Sequence, residues 1–178
     1  MTTAPPFPHP KWPNVPACFG WLTLDPRGQW RLGESGAEVV RHTGLKEFLN
    51  RNYGNTDQGE WFVQNGPQRV YVTLVRSPYI AHRVDADTWQ THTGLKVRAI
   101  TELLVDAEGN VYIVCEHGLA GIDDRDLASL LSAQDVNSAD MSNYSITLGQ
   151  ELFQLQQVDA DLLPERFGFV RQPCPTAL

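Results

Sequence analysis

Leu103-Leu104-Val105-Asp106-Ala107-Glu108-Gly109-Asn110-Val111-Tyr112-Ile113 is the stretch whose reading decides the fold. Apolar residues flank an Asp-x-x-Gly turn on both sides. An Asp at the turn bonds the backbone two residues on, and Gly supplies positive φ, so the stretch reads as a β-hairpin. The chain carries the pattern a second time, as Leu22-Thr23-Leu24-Asp25-Pro26-Arg27-Gly28-Gln29-Trp30-Arg31-Leu32.

The parallel extends beyond the two hairpins. After the copy at Leu22 come a short apolar strand, Ala37-Glu38-Val39-Val40, and then Leu45, Phe48 and Leu49. Their i, i+3, i+4 spacing marks one face of a helix, about 44–52, with Thr43 as its N-cap. After the copy at Leu103 come an apolar segment, Gly118 to Ile122, and Leu127, Leu130 and Leu131 at the same spacing. This helix, about 124–133, takes Asp123 or Asp124 as its cap, with Asp126 also favourable near the positive helix end. Each helix leads to a further hairpin. One is Glu60-Trp61-Phe62-Val63, turning at Gln64-Asn65-Gly66-Pro67 into Arg69 to Val75. The other is Tyr144 to Leu148, turning near Gly149-Gln150 into Leu152 to Val158. The run between Leu131 and Asn143 reads as a loop.

The expected fold is therefore α+β and β-rich. Two similar units, 17–84 and 97–170, each have the plan hairpin, short strand, helix, hairpin, as antiparallel sheets with one helix per unit. A proline-rich arm (1–16) precedes them, a polar joint (85–96) links them and a tail (171–178) closes the chain. Tryptophans at 12, 21, 30, 61 and 89 supply apolar area to the sheets. The pentapeptide His-Thr-Gly-Leu-Lys, at His42–Lys46 and His92–Lys96, is out of register with the repeat and reads as coincidence.

Bulk properties narrow the function classes. The chain has 178 residues and a net charge of -7, with no basic stripe to grip nucleic acid. Arg69, Arg76 and Arg83 are spread through strand-like sequence and read as solvated sheet edges. No stretch reaches the roughly 18 apolar residues of a membrane helix, and the N-terminus lacks signal-peptide character. Cys18, Cys115 and Cys174 are an odd, sparse set. The expectation is a reducing cytoplasm.

The candidate chemistry is thin. Cys115 and His117, at i and i+2 on a strand, would share a face, as a thiol nucleophile and its base must. The competing reading has Cys115 ending a buried strand. Asp123-Asp124-Arg125-Asp126 reads as a helix start rather than a cation loop, with Asp124 the carboxylate an enzyme would use. Gly44 and Gly118/Gly121 precede helices, but no phosphate-binding pattern accompanies them. Trp61, Gln64, Asn65, Arg69, Tyr79 and His82 are the ligand-groove candidates, against a reading as core aromatics and turn polars. No catalytic residue, metal ligand or cofactor is assigned. Three readings stay open. The leading one is a non-enzymatic small-ligand-binding or regulatory protein. The others are an enzyme using Cys115/His117 or Asp124, and an interaction subunit, such as a homodimer formed through strand edges.

Three segments also carry a resemblance. They are Cys18-Phe19-Gly20-Trp21-Leu22 through Asp25-x-x-Gly28-x-Trp30, Gly59 through Val72, and Leu163-Pro164-Glu165-Arg166-Phe167-Gly168-Phe169-Val170-Arg171. Together they resemble an uncharacterised proteobacterial family of unknown function. The order hairpin, helix, hairpin with acidic turns is also similar to a second unknown-function bacterial family of two-domain, β-rich proteins, for which ligand binding or signalling has been suggested. The resemblance implies a fold and a taxonomic range, and no catalytic residues.

Overall fold

The computed structural model describes residues 16–85, 87–132, 145–148 and 151–175. The proline-rich arm up to residue 15, the 133–143 loop and the Gly149-Gln150 turn lie outside the described residues. Contacts divide the chain into two compact units. The first comprises Gln29–Arg76, the stretch ending at Asp25 and the C-terminal stretch from Gly168. The second comprises Ser77–Phe167 with the turn Pro26–Gly28.

The first unit holds β1 (Cys18–Leu24), β2 (Trp30–Leu32), β3 (Glu38–Val39), α1 (Thr43–Arg51), β4 (Tyr53–Asn55), β5 (Trp61–Asn65) and β6 (Gln68–Leu74). They form one sheet in the order β3-β2-β1-β6-β5-β4. Leu22, Leu24, Trp30, Val72 and Leu74 are its buried centre. Helix α1 is capped by His42, one residue before the expected Thr43, with the imidazole Nδ1 accepting from the Leu45 amide at 3.2 Å. Of the expected apolar face, Leu49 is buried while Leu45 and Phe48 are exposed. A polar contact adds to Leu49, as the Trp30 indole N–H donates to Asn50 Oδ1 at 2.7 Å. Trp21 also departs from the core role, with 53% of its surface exposed.

The second unit holds β7 (Tyr79–Arg83), β8 (Trp89–Thr91), β9 (Lys96–Val97), β10 (Ile100–Val105), β11 (Val111–Cys115), β12 (Gly118–Ile122), α2 (Asp124–Ser132), β13 (Ser145–Leu148), β14 (Glu151–Gln157) and α3 (Leu163–Phe167). The strands form one sheet ordered β13-β14-β10-β11-β12-β7-β8-β9. Leu103, Val105, Val111, Ile113, Ile122 and Leu155 share a core with Leu130 of α2. A short 3-10 turn and α3 are helical structure beyond the one helix expected per unit. Asp159 caps the turn by accepting the Asp161 amide at 2.9 Å, and Pro164 sits in the first turn of α3, where its missing N–H costs nothing.

The β-rich α+β class holds. The sheets, however, are mixed rather than antiparallel: β1 pairs with β6, β10 with β14 and β7 with β12 in parallel. A tight turn can only produce antiparallel neighbours. Parallel ones need a crossover, which the segments through α1 and α2 provide for β1–β6 and β10–β14, and strands β8 to β11 provide for β7–β12.

The order of the second sheet also dictates its curvature. β9 lies five strands from β10, which in a flat sheet is about 24 Å at the usual strand spacing. Yet only Arg98 and Ala99 separate Val97 from Ile100, and three Cα steps span at most about 11 Å. The sheet therefore curls until β9 returns towards β10.

Candidate functional site

The place where the curled sheet comes round is held by the tip of the β11–β12 hairpin. Cys115 pairs with Gly118, so Glu116 and His117 are the two turn residues. The Glu116 carboxylate accepts the Arg98 amide at 2.7 Å and the Ala99 amide at 3.2 Å. Burial pushes Glu116 up, but these amide bonds outweigh it and hold the carboxyl below its ordinary value. His117 Nε2 lies 2.9 Å from the Lys96 carbonyl oxygen. Cys115 donates to the Gly118 carbonyl at 3.4 Å, and burial pushes its thiol up. The tip thus works as a clasp on the β9–β10 corner, with the imidazole engaged by the backbone rather than by the sulfur.

Beside this corner is a cavity of about 310 Å³. Trp89, Ile100, Leu148 and Phe153 contribute its apolar surface, with Trp89 only 3% exposed. Asp87, Arg98 and Glu151 are the charged residues lining it, and all three are exposed. Among the described residues no salt bridge involves any of them. A hollow lined by both apolar and charged side chains is a candidate small-molecule site.

A second cluster forms where β12 runs parallel to β7. The register Ile122↔Ala81 brings Asp123 beside His82, with Nδ1 3.2 Å from the carboxylate. Asp123 is the helix cap: its carbonyl accepts the Asp126 and Leu127 amides, both at 3.0 Å, and its side chain accepts the Arg125 amide. Burial raises its pKa, but hydrogen bonds and charge from Arg125 more than offset this and the carboxyl titrates at about 2. Asp126 accepts the Arg83 amide at 3.0 Å. Asp124 takes a bidentate contact from Arg27, at 3.0 Å on each oxygen. A Cβ at Gly28 would meet His92 Cβ at 2.8 Å and His82 Nε2 at 2.9 Å, so only glycine fits this turn against the two rings. Burial pushes the His92 imidazole down to about 3, with the His82 charge adding to it.

His82, Asp123 and Asp126 each offer a ligand atom, all within 4.8 Å of one another, which is the geometry of a candidate cation site. The guanidinium of Arg125 already occupies Asp123, whose carboxylate also accepts the Arg125 amide at the helix start, and Asp126 already accepts the Arg83 amide of β7. No spacing motif announces the trio, because the parallel pairing of strands far apart in sequence assembles it.

The six ligand-groove candidates fall on different sheets. Trp61, Gln64, Asn65 and Arg69 belong to the β5–β6 hairpin of the first unit, and Tyr79 and His82 to β7 of the second. Trp61 packs on Tyr53 with ring centroids 4.8 Å apart. Gln64 braces its own turn, donating to the Gly66 carbonyl at 2.7 Å. Arg69 stacks over Phe62, 4.4 Å from the ring centroid, and Asn65 is exposed where the strand meets the turn. Burial, with the Cys115 charge adding to it, pushes the Tyr79 phenol up to about 12. The cavity residues Asp87, Arg98 and Glu151 escape a sequence reading. The one signal is the two-residue link from β9 to β10, which matters only once the strand order is known.

Among the described residues no helix is long and apolar enough to cross a membrane. A search of curated proteins found no match. Two solved structures of DUF1285 family proteins, both from proteobacteria, match this chain, and the first of them shares its fold. The protein from Silicibacter pomeroyi DSS-3 superposes with a TM-score of 0.54 at 15% identity, over 82% of this chain and 85% of its own. The one from Shewanella baltica OS155 gives 0.44 at 12% identity, over 66% of this chain and 94% of its own. Residues 9–174 match the family model described as "Protein of unknown function (DUF2946)", and the chain belongs to that family.

Proposed function

We propose that this chain is a non-enzymatic small-ligand-binding protein with a regulatory or signalling role in the cytoplasm, and that the ligand occupies the corner cavity of the second unit. The carrying observation is one cavity lined by buried Trp89 and three exposed charged residues, none of them in a salt bridge among the described residues. The non-enzymatic half rests on Cys115. Its sulfur bonds a backbone carbonyl, its thiol is pushed up, and the neighbouring imidazole is tied to Lys96. An activated thiol needs the opposite: a lowered pKa and an adjacent base.

The two units are further read as two copies of one plan. Supporting this, β3-β2-β1-β6-β5 in one sheet and β12-β11-β10-β14-β13 in the other share the same order, each with a central parallel pair.

The test is a fragment screen by protein-observed NMR, tracking the Trp89 indole resonance. Ala99, an exposed residue of the lining, is replaced by Trp to fill the mouth. Fragments that shift Trp89 in the parent and lose affinity in Ala99→Trp support the assignment. A screen in which no fragment moves Trp89 refutes it.

A further inference from the structure

Resting on that reading, we infer that the corner cavity selects an organic cation: an ammonium head on a small apolar, preferably aromatic, body. The argument begins with charge. Asp87 and Glu151 set two carboxylates against the single guanidinium of Arg98, and the chain as a whole carries -7. A cationic ligand is therefore drawn both to the protein and to this mouth. The apolar surface adds a second preference. Phe153 is a half-exposed aromatic in the lining and Trp89 a buried one; aromatic groups attract ammonium and accept a hydrocarbon body. A cavity of about 310 Å³ lies at the small end of ligand sites, which limits the body to roughly one ring and a short chain.

Arg98 does not reverse this balance. Its amide is fixed by Glu116, which anchors the residue at the corner, while its side chain is exposed and free to extend into water. An anion would gain one guanidinium and face two carboxylates. A neutral ligand would gain only the apolar contact.

Three probes with the same phenylethyl body separate these cases: 2-phenylethylammonium, 3-phenylpropionate and 2-phenylethanol, titrated into the full chain and read at the Trp89 indole by NMR. The ammonium is expected to bind tightest. Glu151→Gln and Asp87→Asn should each weaken it by roughly two- to fivefold, and Arg98→Gln should tighten it by a similar factor, as partly exposed charges allow. The difference between ammonium and alcohol should shrink as salt is raised. Equal or tighter binding of the propionate or the alcohol would overturn the cation inference while leaving small-ligand binding standing. Failure of all three probes to move Trp89 would count against the binding reading itself. The substituted residues are exposed, and unchanged far-UV circular dichroism would show that the variants remain folded.

Discussion

Replacing Asp106 with Ala tests the reading of the Asp-x-x-Gly hairpin most directly. The Asp106 carboxylate is buried, 6% exposed, and accepts four hydrogen bonds. Oδ1 takes the Glu108 amide at 3.0 Å and the Asn110 amide at 2.9 Å, while Oδ2 takes Asn110 Nδ2 at 2.9 Å and the Tyr112 hydroxyl at 2.8 Å. The two amides and the Asn110 side chain sit at a turn where water can replace the lost acceptor, at roughly 0.5–1 kcal/mol each. Tyr112 is different. It is 1% exposed, so water cannot readily replace the carboxylate at its hydroxyl, and loss of that buried bond costs roughly 1–3 kcal/mol. Asp106→Ala should therefore cost about 3–5 kcal/mol. Asp25→Ala is the internal control. Asp25 accepts the Gln29 amide at 2.9 Å and Arg31 Nε at 2.8 Å, and Arg31 is one-third exposed, so about 1–2 kcal/mol is expected. The assay is urea unfolding monitored by circular dichroism and tryptophan fluorescence, with Tyr112→Phe completing a double-mutant cycle. The cycle should return a coupling of at least about 1 kcal/mol. A cost for Asp106→Ala no greater than for Asp25→Ala, or a coupling near zero, would refute the claim that burial of the phenol distinguishes the two turns.

Single positions give three further tests. Gly59 has φ +78, and a Cβ there would collide with the Gly168 carbonyl and lie 3.0 Å from Phe169 Cα. Gly59→Ala should cost about 3 kcal/mol, from left-handed strain plus displacement of the C-terminal stretch, and thermal unfolding reads it. Glu116→Ala should release the Arg98 and Ala99 amides, raising their hydrogen-exchange rates at least about tenfold. Unchanged protection would contradict the clasp. Asp123 titrates at about 2 in the folded chain, below its unfolded value near 3.9. Its contribution is thus complete above about pH 4 and lost as pH falls through about 2. The ceiling is about 2.5 kcal/mol, reduced to roughly 1–2 by the exposure of Arg125. Urea titrations between about pH 5 and 2.5 should show a shallower acid limb for Asp123→Asn than for the parent, and identical limbs would remove Asp123 as the cause.

The turns were legible in sequence because they are local. Gly28 and Gly109 take the positive φ their positions need, at +72 and +82, and Asp25 and Asp106 bond the backbone as turn residues do. The helices were legible as elements, but less so in their surroundings. Leu45 and Phe48 keep helical spacing with Leu49 and yet stay exposed, because spacing defines a face without saying how much sheet lies beneath it. His42 caps α1 in place of Thr43 because an imidazole nitrogen, like a hydroxyl, can accept the N3 amide.

The candidate site was largely illegible, and Cys115 with His117 shows why. The i, i+2 argument holds only while both residues lie on one strand. Here the strand ends at Cys115 and the chain reverses through Glu116-His117, so alternation no longer governs where the imidazole points. The same reversal gives the tripeptide its work, since a turn can reach across to the backbone of another segment and a strand face cannot. Glu116, which the reading of Cys115 and His117 as a thiol and its base did not use, is the residue that grips the corner. The corner in turn exists because β9 and β10 are neighbours in sequence and far apart in sheet order. Strand order is a property of long-range pairing, which composition and periodicity do not encode. Once that order is known, the two-residue link compels the curl, the curl brings Trp89 and Val97 round to Ile100 and Phe153, and the cavity arises from connectivity rather than from any motif.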